Sequence, residues 1–416
     1  MTAQHQPTPR ETIEGATVLR PGAANLPAPN LPRAVDDALR SLPNPPRSLT
    51  VLVNDAQRHT ATGSVLPLLA RRVGPARMRV LLATGSHAAP PGRARVNFER
   101  SILGDVTPGE LQWHDCHAAN LVRIASPDDN ATDATRWRCH PWLMESGSIL
   151  AIGSVEPHYF AGWTGAHKTA TIGLAAHDDI QANHAHALSP NCRPARLAGN
   201  PVAEGILAML AALEATRPIA AINLVQAGPR IIAAAGGTVR SALKAALPSA
   251  SAAFIRRIDQ PADALIAEVA GPLGESFYQA DKGIKNNEWA VRDGGCLILA
   301  APCPQGIGQD HFVSLMRRAA THAQAVAAVE SAGYRLGDHK AVRLRYLTDP
   351  ARRAVKVYIV SDGISLHNAN LLGLSKAPTI AAALANADIS PSRNKVLQIQ
   401  DAGNLCVIRS ANAQRS

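Results

Sequence analysis

The sequence predicts an α/β protein of two α/β lobes with largely parallel sheets and a cleft between the lobes as the site of action. Three observations predict this. Short β-branched or apolar runs alternate with helical patterns through most of the 416 residues, as they do where parallel strands are joined by crossover helices. The length suits two domains of roughly 100–200 residues each. Polar residues follow consecutive strands, at the edge where open parallel sheets bind ligands.

Residues 1–47 are rich in proline and carry no sustained period, which predicts an extended lead-in with one short helix at Ala34 to Ser41. Regular structure is expected from SLTVLVND, opening a first domain over 48–260. Its strands and helices read TVLV, GSVLPLLARRV, MRVLLATG, GRARVNFERSIL, ELQWHD, LVRIAS and SILAIGSV. Asn200 to Arg217, with a proline near its start and apolar residues at helical spacing, predicts a long amphipathic helix before the strand AAINLVQAG. The polar DQPAD marks a boundary near Gln260 to Ala262. A second domain, 261–394, runs through ADALIAEVA, the helix DKGIKNNEWAVRD, the buried strand CLILAAPC, a helix from about Gln309 to Ala332 and the strand VKVYIVSD. Two further strands in 395–416, KVLQIQ and NLCVIRS, leave open a return to the first domain.

Composition narrows the function. Apolar residues make up 46% and charged ones 18%, and no apolar run approaches the roughly 18 residues of a membrane span, so no membrane partner is expected. The first residues lack a basic stretch followed by an apolar one, and a cytoplasmic location is the default expectation. Six cysteines without a CxxC argue against a disulfide framework or a structural zinc. The net charge of +10 comes from 34 arginines and 8 lysines spread along the chain, with only 15 Phe, Trp and Tyr. A nucleic-acid groove pairs clustered cations with stacking aromatics, so a small anionic molecule is the expected partner and nucleic acid is not.

Nine of the 15 histidines fall between His87 and His186. Imidazole titrates near neutrality and ligates metals, so the excess points to proton transfer, metal binding or both, although any one histidine is more often a surface or core filler. The turn NDAQRH puts Asp55 and Arg58 after a strand, and ATGSH puts His87 after the next. Arg58 offers a donor fork for a carboxylate or phosphate; the competing reading is an Asp cap beside a surface arginine. In PHYFAGWTGAHK, Lys168 follows a small-residue loop, yet a phosphate-cradling loop needs Gly directly before the Lys and His167 stands there. Asp178 and Asp179 can cap a helix carrying His184, on which positions two apart diverge, so only one of His184 and His186 is expected to face a site. In FYQADKGIKN, Tyr278, Gln279 and Lys282 lie at or near a helix start, with Tyr278 and Lys282 sharing a face; a solvated helix end is the competing reading.

Together these segments resemble the lactate racemase family of 2-hydroxy acid racemases and epimerases, which use the nickel-pincer nucleotide. The resemblance runs from about Asp55 to Gly308, some 60% of the chain. It rests on Asp55-x-x-Arg58, ATGSH with His87, His114-Asp115, PHYFAGWTGAHK with His158 and Lys168, NHAH with His184, AGNPV from Ala198 and FYQADK. The order of these motifs, and the ten- and sixteen-residue steps from His158 to Lys168 to His184, make the combination specific.

The resemblance implies roles. Lys168 would attach covalently to the pyridinium mononucleotide through a thiocarboxyl group, and His184 would be the protein's nickel ligand, in keeping with the preference of Ni(II) for imidazole and planar geometry. Asp55, Ala56, Gln57 and Arg58 would form the loop contacting the cofactor. Arg58, Tyr278, Gln279 and Lys282 would hold a small anionic 2-hydroxy acid, and His87 and His158 would be the paired acid and base. Partner enzymes that assemble the cofactor are implied too; the oligomeric state is not. The family's usual Asp-x-Thr-Arg-Pro is here interrupted by Gln57 and His59, its second loop glycine is Ala166, and the proline before Gly173 is Ile172, departures that bear on nucleotide contacts and substrate range. A metal-dependent hydrolase built on the histidine cluster, and a non-catalytic anion-binding protein, are the alternative functions.

Overall fold

The protein is described by a computed structural model covering residues 12–22, 28–43, 48–124 and 137–410. It divides into two compact units, Gly22–Ala253 and a second formed by Met1–Pro21 with Phe254–Ser416.

In sheet order, the strands of the first unit are Arg230–Thr238, Ile219–Ala227, Ile149–Ser154, Leu49–Asn54, Met78–Ala83 and Glu110–Trp113. All neighbours are parallel except the edge strand Arg230–Thr238. The chain starts at Leu49–Asn54, builds outward to Glu110–Trp113, then restarts on the other side with Ile149–Ser154. Strand order therefore reverses between Leu49–Asn54 and Ile149–Ser154, and a crevice opens at the carboxyl ends of such a pair. Leu49–Asn54 is buried along its whole length, which explains why Val51, Leu52 and Val53 are apolar in succession rather than alternating with polar residues. Val51 and Val53 face one layer with Leu66 and Leu69 of the helix Leu66–Val73 and with Val35 and Ala38 of the helix Leu31–Arg40.

Among its described residues the proline-rich start carries a strand, Thr17–Leu19, and a helix, Leu31–Arg40. Its helix begins earlier than Ala34, at Leu31, because the Asn30 side chain accepts from the Arg33 N–H and Pro32 is tolerated in the first turn. That helix lies so close to Arg230–Thr238 that a Cβ on Gly236 would fall 1.8 Å from the Ala34 carbonyl oxygen. The long amphipathic helix spans Pro201–Glu214, with the Asn200 side chain accepting from the Ala203 N–H. Among the described residues of the segment LVRIAS, Val122–Arg123 is a strand, paired with Arg138–Cys139; the residues between Ile124 and Trp137 lie outside the described ones.

In the second unit a fully parallel sheet runs Thr17–Leu19, Val396–Ile399, Ala262–Glu268, Val291–Ala300, Lys356–Val360 and Ser375–Lys376. The question the sequence left open for the last strands is answered here. The strand Val396–Ile399 does not return to the first unit, and neither does Cys406–Arg409, which pairs with Ile255–Ile258. The lead-in meanwhile contributes Thr17–Leu19 to the far edge. Parallel pairing of apolar residues such as Leu265 with Leu397 holds these segments together across distances no local pattern reveals. The division thus falls at Ala253 and Phe254 rather than at DQPAD. The expected helix over 309–332 is two helices, Asp310–Arg318 and His322–Ala332. A capping box of Thr321 and Gln324 starts the second.

All six cysteines are buried free thiols. No helix among the described residues is long and apolar enough to cross a membrane.

Candidate active site

The strands Leu49–Asn54, Met78–Ala83 and Ile149–Ser154 end at one rim of the first unit's sheet, and a pocket opens there. Asp55, Arg58, His87, His158, Lys168 and His184 all line it, so residues spread over more than a hundred positions converge at the reversal of strand order.

The floor is the turn from Gly165 into the short helix Ala166–Ala170. Gly165 takes φ +147°, and a Cβ on Gly153 would fall 2.3 Å from the Ala166 amide nitrogen, so this approach of helix to strand requires glycine at both places. Asn223, one of two amide residues with Gln226 in the buried strand Ile219–Ala227, accepts from the Ala166 N–H at 2.8 Å. Ala166 itself opens the helix with ordinary backbone geometry and its side chain is buried, which is why alanine serves where the family's loop has glycine. Asn54 at the end of its strand donates to Thr169 at 3.0 Å, tying the same helix to the rim and setting Lys168 between two fixed neighbours.

Phe160 packs among three of these side chains. Its ring centroid is 4.5 Å from that of His158 and 4.9 Å from that of His184, both edge-on, and the Lys168 ammonium lies 5.7 Å from it. His184 occupies the last turn of the helix His177–Ala185, where its Nδ1 is 3.1 Å from Asn183 Oδ1. Burial, and then the neighbouring Lys168 charge, lower its pKa to about 3, so the ring is neutral. With Nδ1–H donating to the amide oxygen, Nε2 keeps its lone pair for a metal. His186 starts the following turn and is exposed.

The two histidines expected as acid and base sit in different surroundings. His87 is 41% exposed and its Nδ1 lies 2.8 Å from Oδ2 of the buried Asp55. His158 is buried within the short antiparallel ladder of Pro157–His158 with Gly162–Trp163, and the Ala161 N–H donates to its Nδ1 at 3.3 Å. The strand Ile149–Ser154 ends before His158, which lies in this separate two-residue strand. Arg58 pairs with Glu156 at 3.8 Å, both partly exposed.

Other predicted positions fall elsewhere. Ala56 and Gln57 form the turn after Asp55, with the Gln57 N–H bonded to Asp55 Oδ1 at 3.2 Å, and neither lines the pocket. His114 is buried below the rim, bonded to the Ala175 carbonyl at 3.0 Å and held below its ordinary pKa by burial. His167 points away into the core, where burial and then Lys168 lower its pKa to about 3. Ile172 lines the pocket beside Gly173.

Tyr278, Gln279 and Lys282 belong to the second unit, on the helix Phe277–Asn287, and are half-buried. That helix is not the solvated end of the competing reading. Lys285 and Asp281 are buried, with Lys285 Nζ 3.3 Å from Glu288 and 3.9 Å from Asp281, while Arg343 also bonds Glu288. The Lys340 ammonium sits 4.4 Å from the Tyr278 ring centroid and donates to its carbonyl.

Sequence reasoning missed Phe160, Asn223, Asn54, Asn183 and Glu156. Only Asn223 carried a visible signal, an amide in a buried strand, which needs a partner to be tolerated.

The family model for the lactate racemase N-terminal domain matches residues 31–194, and that for the lactate racemase C-terminal domain matches 258–408. The chain belongs to the lactate racemase family. Lactate racemase from Thermoanaerobacterium thermosaccharolyticum is 26% identical over 283 residues, covering 66% of this chain and 64% of that protein. Lactate racemase from Lactiplantibacillus plantarum is 26% identical over 290 residues, covering 66% and 65%. The aligned region thus spans slightly less than two thirds of either relative. The fold of the lactate racemase apoprotein from Thermoanaerobacterium thermosaccharolyticum matches with a TM-score of 0.80 at 22% identity, covering 95% of both chains. A crystal structure of a Thermotoga maritima protein matches with a TM-score of 0.71 at 15% identity, covering 91% of this chain and 97% of that one.

Proposed function

We propose that this protein is an isomerase that inverts C2 of a small 2-hydroxy carboxylate, with a nickel-pincer nucleotide attached at Lys168 and ligated by His184. The observation that carries the reading is the convergence of Lys168, His184, His87 and His158 on one pocket. The family supports it, as do the lactate racemase activities named for its relatives.

The residues present fit such a cofactor. His184 offers one neutral imidazole whose Nδ1 is engaged by Asn183, and Lys168 lines the same pocket. Among the described residues, no group of three or more His, Cys, Asp or Glu side chains could hold a metal ion. A metal here would bring most of its donors with it, which suits a nucleotide-borne nickel and not the three protein ligands of a hydrolytic zinc. When bound, the group would accept a hydride from C2 and return it to either face of the planar 2-keto acid.

The chain's own residues then have separable tasks. Arg58, steadied by Glu156, would take the substrate carboxylate with its donor fork, fixing the plane that inverts. One imidazole would remove the hydroxyl proton and the other would deliver a proton to the same oxygen on return, so each enantiomer uses both in opposite order. Tyr278, Gln279 and Lys282 are proposed as substrate contacts on the family resemblance alone.

The test is native mass spectrometry with metal analysis on protein made alongside the cofactor-assembly enzymes, followed by assays of chiral 2-hydroxy acids for inversion. Wild-type protein should carry a mass increment and nickel, and Lys168→Ala should carry no covalent increment. Unmodified Lys168 and absent nickel in the wild type would overturn the proposal.

A further inference from the structure

We infer that Asp55 is a positioning residue for His87: its carboxylate holds the ring's proton on Nδ1 and so makes Nε2 the atom that takes a substrate hydroxyl proton. This rests on the two-imidazole reading above and deepens it.

Asp55 follows the central strand directly and is 5% exposed. Its two oxygens have different partners. Oδ1 accepts from the Gln57 N–H at 3.2 Å, and Oδ2 lies 2.8 Å from His87 Nδ1. An ionised carboxylate only accepts, so the second bond has one polarity and Nδ1–H must donate. The His87 backbone N–H is itself anchored to the Thr84 carbonyl at 3.1 Å, so turn and ring are held together. A neutral His87 therefore carries its lone pair on Nε2, the form a base needs.

His158 is held the other way. The Ala161 N–H donates to its Nδ1 at 3.3 Å, which places the proton of the neutral ring on Nε2. The two imidazoles thus rest in opposite tautomers before substrate binds, and only the His87 tautomer depends on Asp55. For the enantiomer that His87 serves, the hydroxyl proton would pass to Nε2 and the O–H electrons would form the carbonyl, with the C2–H pair leaving as the hydride for which the bound group would supply the acceptor. His87 then becomes an imidazolium beside the Asp55 carboxylate, which stabilises it without taking its proton.

Asp55→Asn tests this with little change of shape. The amide oxygen would stay on the Gln57 N–H, turning its NH2 toward His87. That group can only donate, so His87 must offer its lone pair at Nδ1 and carry its proton on Nε2. Nitrogen-15 spectra of the histidine rings, with His87 assigned by its loss in His87→Gln, should show an Nδ1–H ring in the wild type and an Nε2–H ring in the variant. In single turnovers quenched and trapped as the 2-keto acid hydrazone, product from one enantiomer should fall about 10³- to 10⁴-fold. Product from the other should change less than about 10-fold. Asp55→Ala, which leaves Nδ1 open to water, should lose less than Asp55→Asn, an order that a merely structural role would not produce. The inference is overturned by one tautomer in both proteins, by equal losses from both enantiomers, or by a greater loss in the alanine variant. If the wild type forms no keto acid from any 2-hydroxy acid tried, the racemase reading fails, while the spectra still decide whether Asp55 sets the His87 tautomer.

Discussion

The two units follow the same layered plan and use their charged residues in opposite ways. In the first, the polar side chains stand at the carboxyl ends of parallel strands, each oriented by one nearby partner: His87 by Asp55, His184 by Asn183, Arg58 by Glu156. In the second, Asp281, Lys285, Glu288, Lys340 and Arg343 are buried against one another around a single helix. Burial pushes the Asp281 carboxyl above its ordinary range despite Lys285 and Lys340, and it lowers Lys340 to about 8 against the pull of Asp281. Charges at a rim are free to meet a ligand and cost little to remove. Charges in a core are committed to one another, and removing one strands the rest.

The contrast makes ordered predictions. The largest effect on chemistry belongs to the first unit: His158→Ala or His87→Ala should lower turnover about 10²- to 10⁴-fold with nickel retained, read by racemisation assays beside metal analysis. Near-normal racemisation in both variants would break the assignment of the rim to catalysis. The largest effect on stability belongs to the second unit. Lys285→Met leaves Glu288 and Asp281 without one of their buried cations and should cost about 3–5 kcal/mol in urea unfolding. His87→Ala, at a half-exposed rim position, should stay within about 0.5 kcal/mol of wild type in the same measurement. Equal losses would erase the distinction between rim and core.

A smaller effect, in pH, sharpens it. Burial, and then Lys168, hold His167 at about 3; burial, then His114 and Arg79, hold His140 at about 4, against 6.5 for an ordinary imidazole. Above pH 6.5 neither the folded nor the unfolded state protonates these rings, and stability is complete. As pH falls through 6.5 toward 4 and then 3, the unfolded chain binds protons that the folded one refuses, so stability is lost. The urea midpoint of the first unit, followed by tryptophan fluorescence, should drop between pH 7 and pH 4.5. A His167→Gln variant that folds should drop less.

Legibility in the sequence followed the range of the interaction. His87, His158, Lys168 and His184 could be nominated because each sits in a short stretch whose glycines, strand ends or helix caps are local signals, and the family pattern adds their roles. Their partners could not. Asp55 and His87 are 32 positions apart, and Asn223 and Ala166 are 57 apart; nothing in either stretch names the other. The competing reading of FYQADKGIKN as a solvated helix end fails for a related reason. A charged residue reads as exposed until the residues that neutralise it, here Glu288 with Arg343 and Arg353 behind it, are brought around it by the fold.

What the amino-acid sequence determined alone was the alternation of strands and helices, the apolar central strand, and the crowding of imidazoles after strand ends, because periodicity and turn chemistry act over a few residues. What the tertiary structure decided was which strands join which sheet, so that Thr17–Leu19 and Val396–Ile399 lie side by side, and which way each ring nitrogen faces. Both depend on groups distant in the chain, and a hydrogen bond or a parallel ladder exists only once folding has brought donor and acceptor within about 3 Å.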